Sequence, residues 1–200
     1  MRVLVACEYS GRVRDAFIAR GHDAYSLDLL PTDTPGPHVQ GDVVAHIKSL
    51  PDGGLDLIIA HPPCTCLTVA GNRTYGKGKE KHSERITQAE WTQDLWHLAK
   101  RKAKRVCFEN PVGVLSSMTD IPKPVFVHPW QFGHMEQKKT GLHLYGLAPL
   151  NPTNNVYDEM MKLPRNVRER LHFLGPSPDR WKIRSTTFQG IAKAMADQWG

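Results

Sequence analysis

The sequence is short of several things, and each shortage removes a class of function. No apolar run approaches the roughly 20 residues of a membrane-spanning helix, so no spanning segment is expected. The apolar start, Val3-Leu4-Val5-Ala6, is too short for a secretory leader, and Glu8 interrupts it. It reads as a strand, and the protein is expected in the cytoplasm. Cysteine is scarce, with four residues: Cys7, Cys64, Cys66 and Cys107. Cys64-x-Cys66 is too tight for a zinc motif and has no second pair, and a reducing compartment disfavours disulfides. Ten histidines show no ligand spacing either, so no metal is expected. Cys7 and Cys107 lie in apolar runs and read as core.

What is present is an excess of 26 Lys and Arg over 20 Asp and Glu, a formal charge of +6. That suits a polyanionic partner without requiring one. In 200 residues there is room for one domain with its own core. The first half alternates apolar runs with helical periodicity. Val3–Ala6, Ala24–Leu27, Leu55–Ala60 and Val106–Phe108 read as buried strands. Helical spacing follows at Val13, Ala16 and Phe17, a short helix is expected over Val43–Leu50, and Pro31–Pro37 is a loop. Gly71–Ser83 reads as a polar loop, and Thr87-x-x-Glu90 as a capping box opening a helix with Trp91, Leu95 and Leu98 on one face. The cluster from Lys100 to Arg105 complements the negative end of that helix. Strands alternating with helices predict an α/β fold with a mostly parallel sheet. Ligands of such folds bind at the carboxyl ends of the strands.

Four polar side chains are predicted at those ends. Glu8 opens the turn Glu8-Tyr9-Ser10-Gly11, where Ser10 and Gly11 let the backbone approach a ligand at a helix start. Asp28 ends the second strand, where a carboxylate can accept from ribose hydroxyls. Asp42 is a third acid, suited to an amino group. The alternative for Asp28 and Asp42 is an ordinary turn residue. Two prolines in Ala60-His61-Pro62-Pro63-Cys64 fix an extended backbone and leave carbonyls free for a ligand. His61 and Pro62 are therefore expected on the cofactor side and Pro63 on the substrate side. Cys64 then emerges as a candidate nucleophile; the alternative is a structural loop cysteine. Glu109, in Phe108-Glu109-Asn110-Pro111, is a candidate acid for a ring nitrogen, with a plain exposed glutamate as the alternative.

The order of these pieces resembles the DNA cytosine-5 methyltransferases, in particular their compact phage-type members. The stretch Asp56 to Gly71 is similar to the family's strand, Pro-Cys nucleophile and Ala-Gly loop, with Cys64 as nucleophile and Thr68 as the hydroxyl residue. Glu109-Asn110 is similar to Glu-Asn-Val, with Pro111 in place of Val. Gly11, Asp28 and Asp42 fall on the cofactor motifs, although Cys7 stands where an aromatic residue is usual and Thr65 where glutamine is. Gln137-Lys138-Lys139 resembles Gln-x-Arg-x-Arg with lysines for arginines. Phe188 to Ala194 resembles the C-terminal motif whose helix closes the cofactor pocket.

The resemblance implies a Rossmann-like S-adenosylmethionine-dependent methyltransferase fold over residues 1–200. It also implies a cytosine flipped from double-stranded DNA, a Cys64 adduct, and Glu109 acting at N3. The loop from Thr65 to Ser83 would serve as a lid. Asn110, Gln137, Lys138 and Lys139 would contact substrate. Family members usually carry a large target-recognition region; here only about 150–184 is available. That stretch is basic, with Arg165, Arg168 and Arg170 as phosphate contacts and Trp181 and Phe173 interleaved. So small a surface predicts weak, salt-dependent binding and a target of about two to four base pairs; a homodimer would double it. Two readings stay open beside this one. The same ring chemistry could act on a free cytosine nucleotide, or the chain could be a non-enzymatic nucleic-acid binder on a methyltransferase scaffold. An amino-methyltransferase is disfavoured, because His61-Pro62-Pro63-Cys64 lacks both ends of that motif.

Overall fold

The computed structural model describes residues 1–200. Seven strands form one sheet: β1 (Arg2–Ala6), β2 (Asp23–Asp28), β3 (His38–Gln40), β4 (Leu55–Ala60), β5 (Ala103–Pro111), β6 (Val125–Val127) and β7 (Thr140–Tyr145). Their order is β3-β2-β1-β4-β5-β7-β6. The first five are parallel, and β7 runs antiparallel to both β5 and β6. The 3-2-1-4-5 order is that of a doubly wound sheet, whose switch point lies between β1 and β4. The expected Rossmann-like α/β fold with a mostly parallel sheet is therefore present, with one reversed strand at the far side.

The helices are α1 (Arg12–Ile18), α2 (Val43–Ser49), α3 (Asn72–Tyr75), α4 (His82–Lys102), α5 (Leu115–Met118), α6 (Tyr157–Met161), α7 (Arg165–Arg168), α8 (Arg170–Phe173), α9 (Arg180–Ser185) and α10 (Gln189–Trp199). Strand alternation divides the core into two layers. Val3, Val5, Leu57, Ile59 and Cys107 face α1 and α10, while Leu4, Ala6, Ile58, Ala60, Val106 and Phe108 pack with residues of α2 and α4. Both sides of β1 and β4 are buried, which is why these strands are continuous apolar runs. No helix is long and apolar enough to cross a membrane.

Three expectations need correction. The α4 helix starts at His82, not at Thr87. Buried Arg85 hydrogen-bonds the Cys66 and Thr68 carbonyls and Asn72, and these bonds hold the earlier turn in the helix. Thr87-x-x-Glu90 thus lies inside α4 and caps nothing. The polar stretch 71–83 is not wholly loop, because it contains α3. Finally, β5 does not stop before Glu109. It runs on to Pro111 because β7 pairs with it, Glu109 opposite Leu142 and Pro111 opposite Thr140. The proline is tolerated because β4 has ended by then, so its missing N–H would have faced no strand.

Candidate active site at the carboxyl edge of the sheet

At the end of β1 the backbone turns sharply. Cys7 has φ 56°, a left-handed conformation uncommon for a residue with a side chain. Such strain collects at functional sites, and here it starts the turn Glu8–Gly11. Glu8 is buried and points back into α1: it accepts from the Val13 amide at 2.7 Å, the Arg14 amide at 3.3 Å and the Ser10 hydroxyl at 3.3 Å. It therefore serves as a cap for α1, whose own cap position is Gly11. Gly11 is needed twice over. Its φ is +72°, and a Cβ there would lie 2.2 Å from the Thr34 hydroxyl and 2.4 Å from the Arg14 guanidinium.

Arg14 was not singled out by its sequence context, yet it organises this side. Fully buried, it donates to Asp15, Ser26, Thr32, Thr34 and Pro35, and so pins the loop after β2. Asp28 at the end of β2 accepts from Leu30 N at 2.9 Å, and Asp42 caps α2 by accepting from Ala45 N at 2.7 Å. Each uses one carboxylate oxygen locally, as a turn residue would, and has a second to offer. Both acids lie near Cys7. Burial first, then their two charges, push the Cys7 thiol up to about 12. Cys7 packs against the core at its partly covered edge, and Cys107 is buried within it.

The other side of the switch point begins at His61. Ala60 of β4 pairs with Phe108 of β5, so the next residues, His61 and Glu109, fall side by side. Strand alternation puts both toward the α1 and α10 layer. His61 Nδ1 and Glu109 Oε2 are 3.2 Å apart, with both side chains largely buried. Burial opposes protonation of His61, but the hydrogen bond and charge of Glu109, helped by Glu8, outweigh it and raise the imidazole. Burial likewise opposes ionisation of Glu109, yet His61, Lys138 and His143 hold it below the ordinary carboxylate range. Each group thus favours the charged form of the other.

Cys64 begins a turn, its carbonyl accepting from Leu67 N and Thr68 N. Thr68 accepts from Gly71 N at 3.0 Å. The loop is tied on one side to Arg85 and on the other to residues 112–114, through Val69 N to Val112 O and Val114 N to Leu67 O. Gly113 permits that approach, since a Cβ would sit 2.2 Å from the Leu67 carbonyl oxygen. Burial pushes the Cys64 thiol up to about 11; Glu109 adds to the rise, and Lys138 and Arg184 oppose it. Cys64 follows the end of β4, and Glu109 lies in the strand paired with it. Cys66 faces elsewhere, into a cleft of about 480 Å³ that it lines with Pro63, Ser83, Glu84, Thr87, Gln88 and Trp91. Asn110 is buried next to Glu109, and its Nδ2 has no partner; neither does His61 Nε2.

The remaining expected substrate residues divide. Lys138 reaches the site, donating to Arg184 O at 2.9 Å. Lys139 lies over the Phe126 ring at 4.1 Å, and Gln137 N bonds Arg168 O. The three arginines all have protein partners: Arg165 to Glu169 at 3.0 Å, Arg168 to the Leu163 carbonyl at 3.0 Å, and Arg170 to Glu136 at 2.6 Å. The sequence did not reveal that α9 spans both sides. The Tyr9 hydroxyl donates to Lys182 O at 3.1 Å, and Lys182 faces Asp33 at 3.6 Å.

No protein-family model matches this sequence, and no curated protein matches it. Among solved structures, one similar chain is a prophage-encoded E. coli protein provisionally described as a DNA modification methyltransferase. Identity is 13% and the TM-score 0.47, over 82% of this chain and 55% of that one, so this chain spans about half the length of that protein.

Proposed function

We propose that this protein methylates carbon 5 of cytosine in DNA, using S-adenosylmethionine and a covalent Cys64 adduct. The observation that carries the reading is the placement of Cys64, just beyond the end of β4, and of Glu109, in the adjacent strand β5, at the same edge of the sheet. The acid-flanked turn at Cys7 lies on the other side of the switch point.

The residues at this turn suit the cofactor. Asp28 and Asp42 each keep a carboxylate oxygen beyond their local bonds, which fits ribose hydroxyls and an adenine amino group. When bound, the cofactor supplies the methyl group to carbon 5. The chain's own residues do the rest. Cys64 adds to carbon 6 as a thiolate, and Glu109 delivers a proton to N3, which makes carbon 5 nucleophilic. Loss of the carbon-5 proton then expels Cys64. The buried thiol is protonated at neutral pH, so it must lose its proton after the base is seated. Pro62 and Pro63 hold the approach rigid, and Lys138, whose amine donates to the Arg184 carbonyl, would meet the flipped base or a phosphate. Residues 150–184 offer short helices in place of a full recognition region, which fits a short target.

The test is mass spectrometry of nucleosides from DNA incubated with the protein and S-adenosylmethionine, with dCMP as a parallel substrate. 5-Methylcytosine in DNA is expected, and its absence from both substrates would sink the reading. Cys64→Ser should abolish turnover and also the covalent adduct with 5-fluorocytosine DNA. Cys66→Ser should retain both.

A further inference from the structure

Glu109 faces a difficulty in the role just given to it. A carboxylate held in the ionised form carries no proton to deliver. The only side chain hydrogen-bonded to it is His61, through Nδ1 at 3.2 Å. We propose that His61 is the positioning residue and proton reservoir of Glu109: it fixes the carboxylate toward the base and supplies the proton that Glu109 hands to N3. This rests on the cytosine reading above.

The geometry favours it in three ways. The contact follows from strand register, since Ala60 and Phe108 are paired neighbours, so it is built into the sheet rather than into a loop. Pro62 follows His61 directly and restricts its backbone to extended conformations. His61 Nε2 is buried without a partner, so no second protein group anchors the ring. Buried donors are normally paired, and an imidazole bound through one nitrogen to a carboxylate is committed to that carboxylate.

The charged surroundings act in the same sense. Glu8 from the β1–α1 turn and Glu109 from β5 favour the imidazolium, and Lys138, ahead of β7, opposes it. Around Glu109, Lys138 and His143 of β7 favour the carboxylate, and Cys64 lies at the same edge of the sheet. The outcome is a raised imidazole beside a lowered carboxylate.

The protons balance. The Cys64 thiol loses its proton to solvent and the thiolate adds to carbon 6. One proton leaves His61 Nδ1 for Glu109, and one leaves Glu109 for N3, so His61 ends neutral. After methyl transfer the carbon-5 proton is lost to solvent, the carbon–sulfur bond breaks, and the N3 proton returns through Glu109 to His61.

Two measurements test this on the whole protein. In the first, NMR follows the His61 imidazole with pH. In the wild type it should titrate above the ordinary value near 6.5, and in Glu109→Gln below it, because burial is then unopposed. Identical titrations in the two proteins would overturn the pairing whatever reaction the protein performs. In the second, the rate of adduct formation on 5-fluorocytosine DNA is followed with pH. The wild type should speed up with pH until His61 loses its proton and then level off, because further ionisation of the thiol is offset by loss of the imidazolium. His61→Gln keeps a donor beside Glu109 but no transferable proton. It should lose that levelling, its rate still rising with pH beyond it, and lose up to the ~10²–10⁴-fold of general acid catalysis. Full rescue by Gln, with an unchanged pH profile, would overturn the reservoir role and leave the Cys64 thiol as the source of the proton. No adduct at any pH in the wild type would overturn the cytosine reading and, with it, this role of His61, while the NMR titration still reports whether the pair exists.

Discussion

On the β1–β2 side of the carboxyl edge, the buried polar groups are spent on the protein itself. Glu8 holds the start of α1, and Arg14 has acceptors in Asp15, Ser26, Thr32, Thr34 and Pro35. On the β4–β5 side the opposite holds: His61 Nε2 and Asn110 Nδ2 are buried with no partner, and the His61–Glu109 pair lies at the same sheet edge as the half-buried Cys64. A buried polar atom without a partner costs about 1–3 kcal/mol, so folding alone does not favour keeping one. The contrast suggests a division of labour, a rigid seat on one side and unspent chemical groups on the other. Substitutions should then separate: on the first side they should cost stability, on the second activity.

The sharpest break is expected at Glu109. Glu109→Gln keeps the shape but has no proton to deliver and no charge to hold His61. Methyl transfer should fall by about 10²–10⁴-fold, with cofactor binding and thermal unfolding close to wild type. A near-normal rate would remove Glu109 from the chemistry, and a collapsed fold would show that this side is structural after all.

Arg14→Met should do the reverse. It leaves Ser26, Thr32, Thr34 and the Pro35 carbonyl without the guanidinium that joins them. Losing the partner of a buried polar group costs about 1–3 kcal/mol, to be read by denaturant unfolding. Adduct formation, measured where the variant is still folded, should persist. A loss below about 1 kcal/mol would mean that the loop over Arg14 rearranges freely and the seat is not rigid.

That contrast also marks where the sequence was readable. Buried parallel strands are apolar runs, so β1, β2, β4 and the start of β5 stand out, as do α1 and α2. The three-residue β6 has two exposed positions, and β7 opens Thr-Gly-Leu-His, so neither presents such a run. The continuation of β5 past Glu109 depends on β7 and was hidden with it. Cys64 and Glu109 were legible as candidates because a reactive side chain at a strand end is unusual. The His61–Glu109 contact was not, because it depends on the β4–β5 register across 48 residues. Arg14 and Arg85 were missed for a simpler reason: a charged residue on a helix ordinarily marks the solvent face, and here both are inside. The left-handed turn at Cys7 was hidden because a φ cannot be read from an apolar neighbourhood.

A smaller effect is expected at Asp28, the acid on the seat side that keeps an oxygen for a ligand. Asp28→Ala should weaken S-adenosylmethionine by about 1–3 kcal/mol, the scale of hydrogen bonds to a charged acceptor, in a calorimetric titration. Loss of its bond to Leu30 N should be minor for stability, since that turn is exposed. Unchanged affinity would make Asp28 an ordinary turn residue and move the cofactor away from the end of β2.

The smallest expected change has the opposite sign to the Arg14 effect. Asn110 is 2% exposed, sits in β5 and pairs through its backbone with Gly141, while its amide nitrogen finds nothing. Asn110→Leu keeps the branching of the side chain, with bulkier ends, and brings no group needing a partner. Removing a buried unsatisfied donor returns its desolvation cost, less whatever strain the branched side chain adds in a packed site. The net should lie between no change and a gain of about 1 kcal/mol, a rise in Tm of at most about 2–4 °C for a chain of this size. Activity should fall, because the amide would no longer be there to meet the base. Stability gained with activity lost is the signature of a residue kept for function. A destabilisation above about 1 kcal/mol would instead mean that Nδ2 is satisfied in solution, by water or by the loop 64–71. The two sides of the carboxyl edge would then differ less than their unpaired atoms imply.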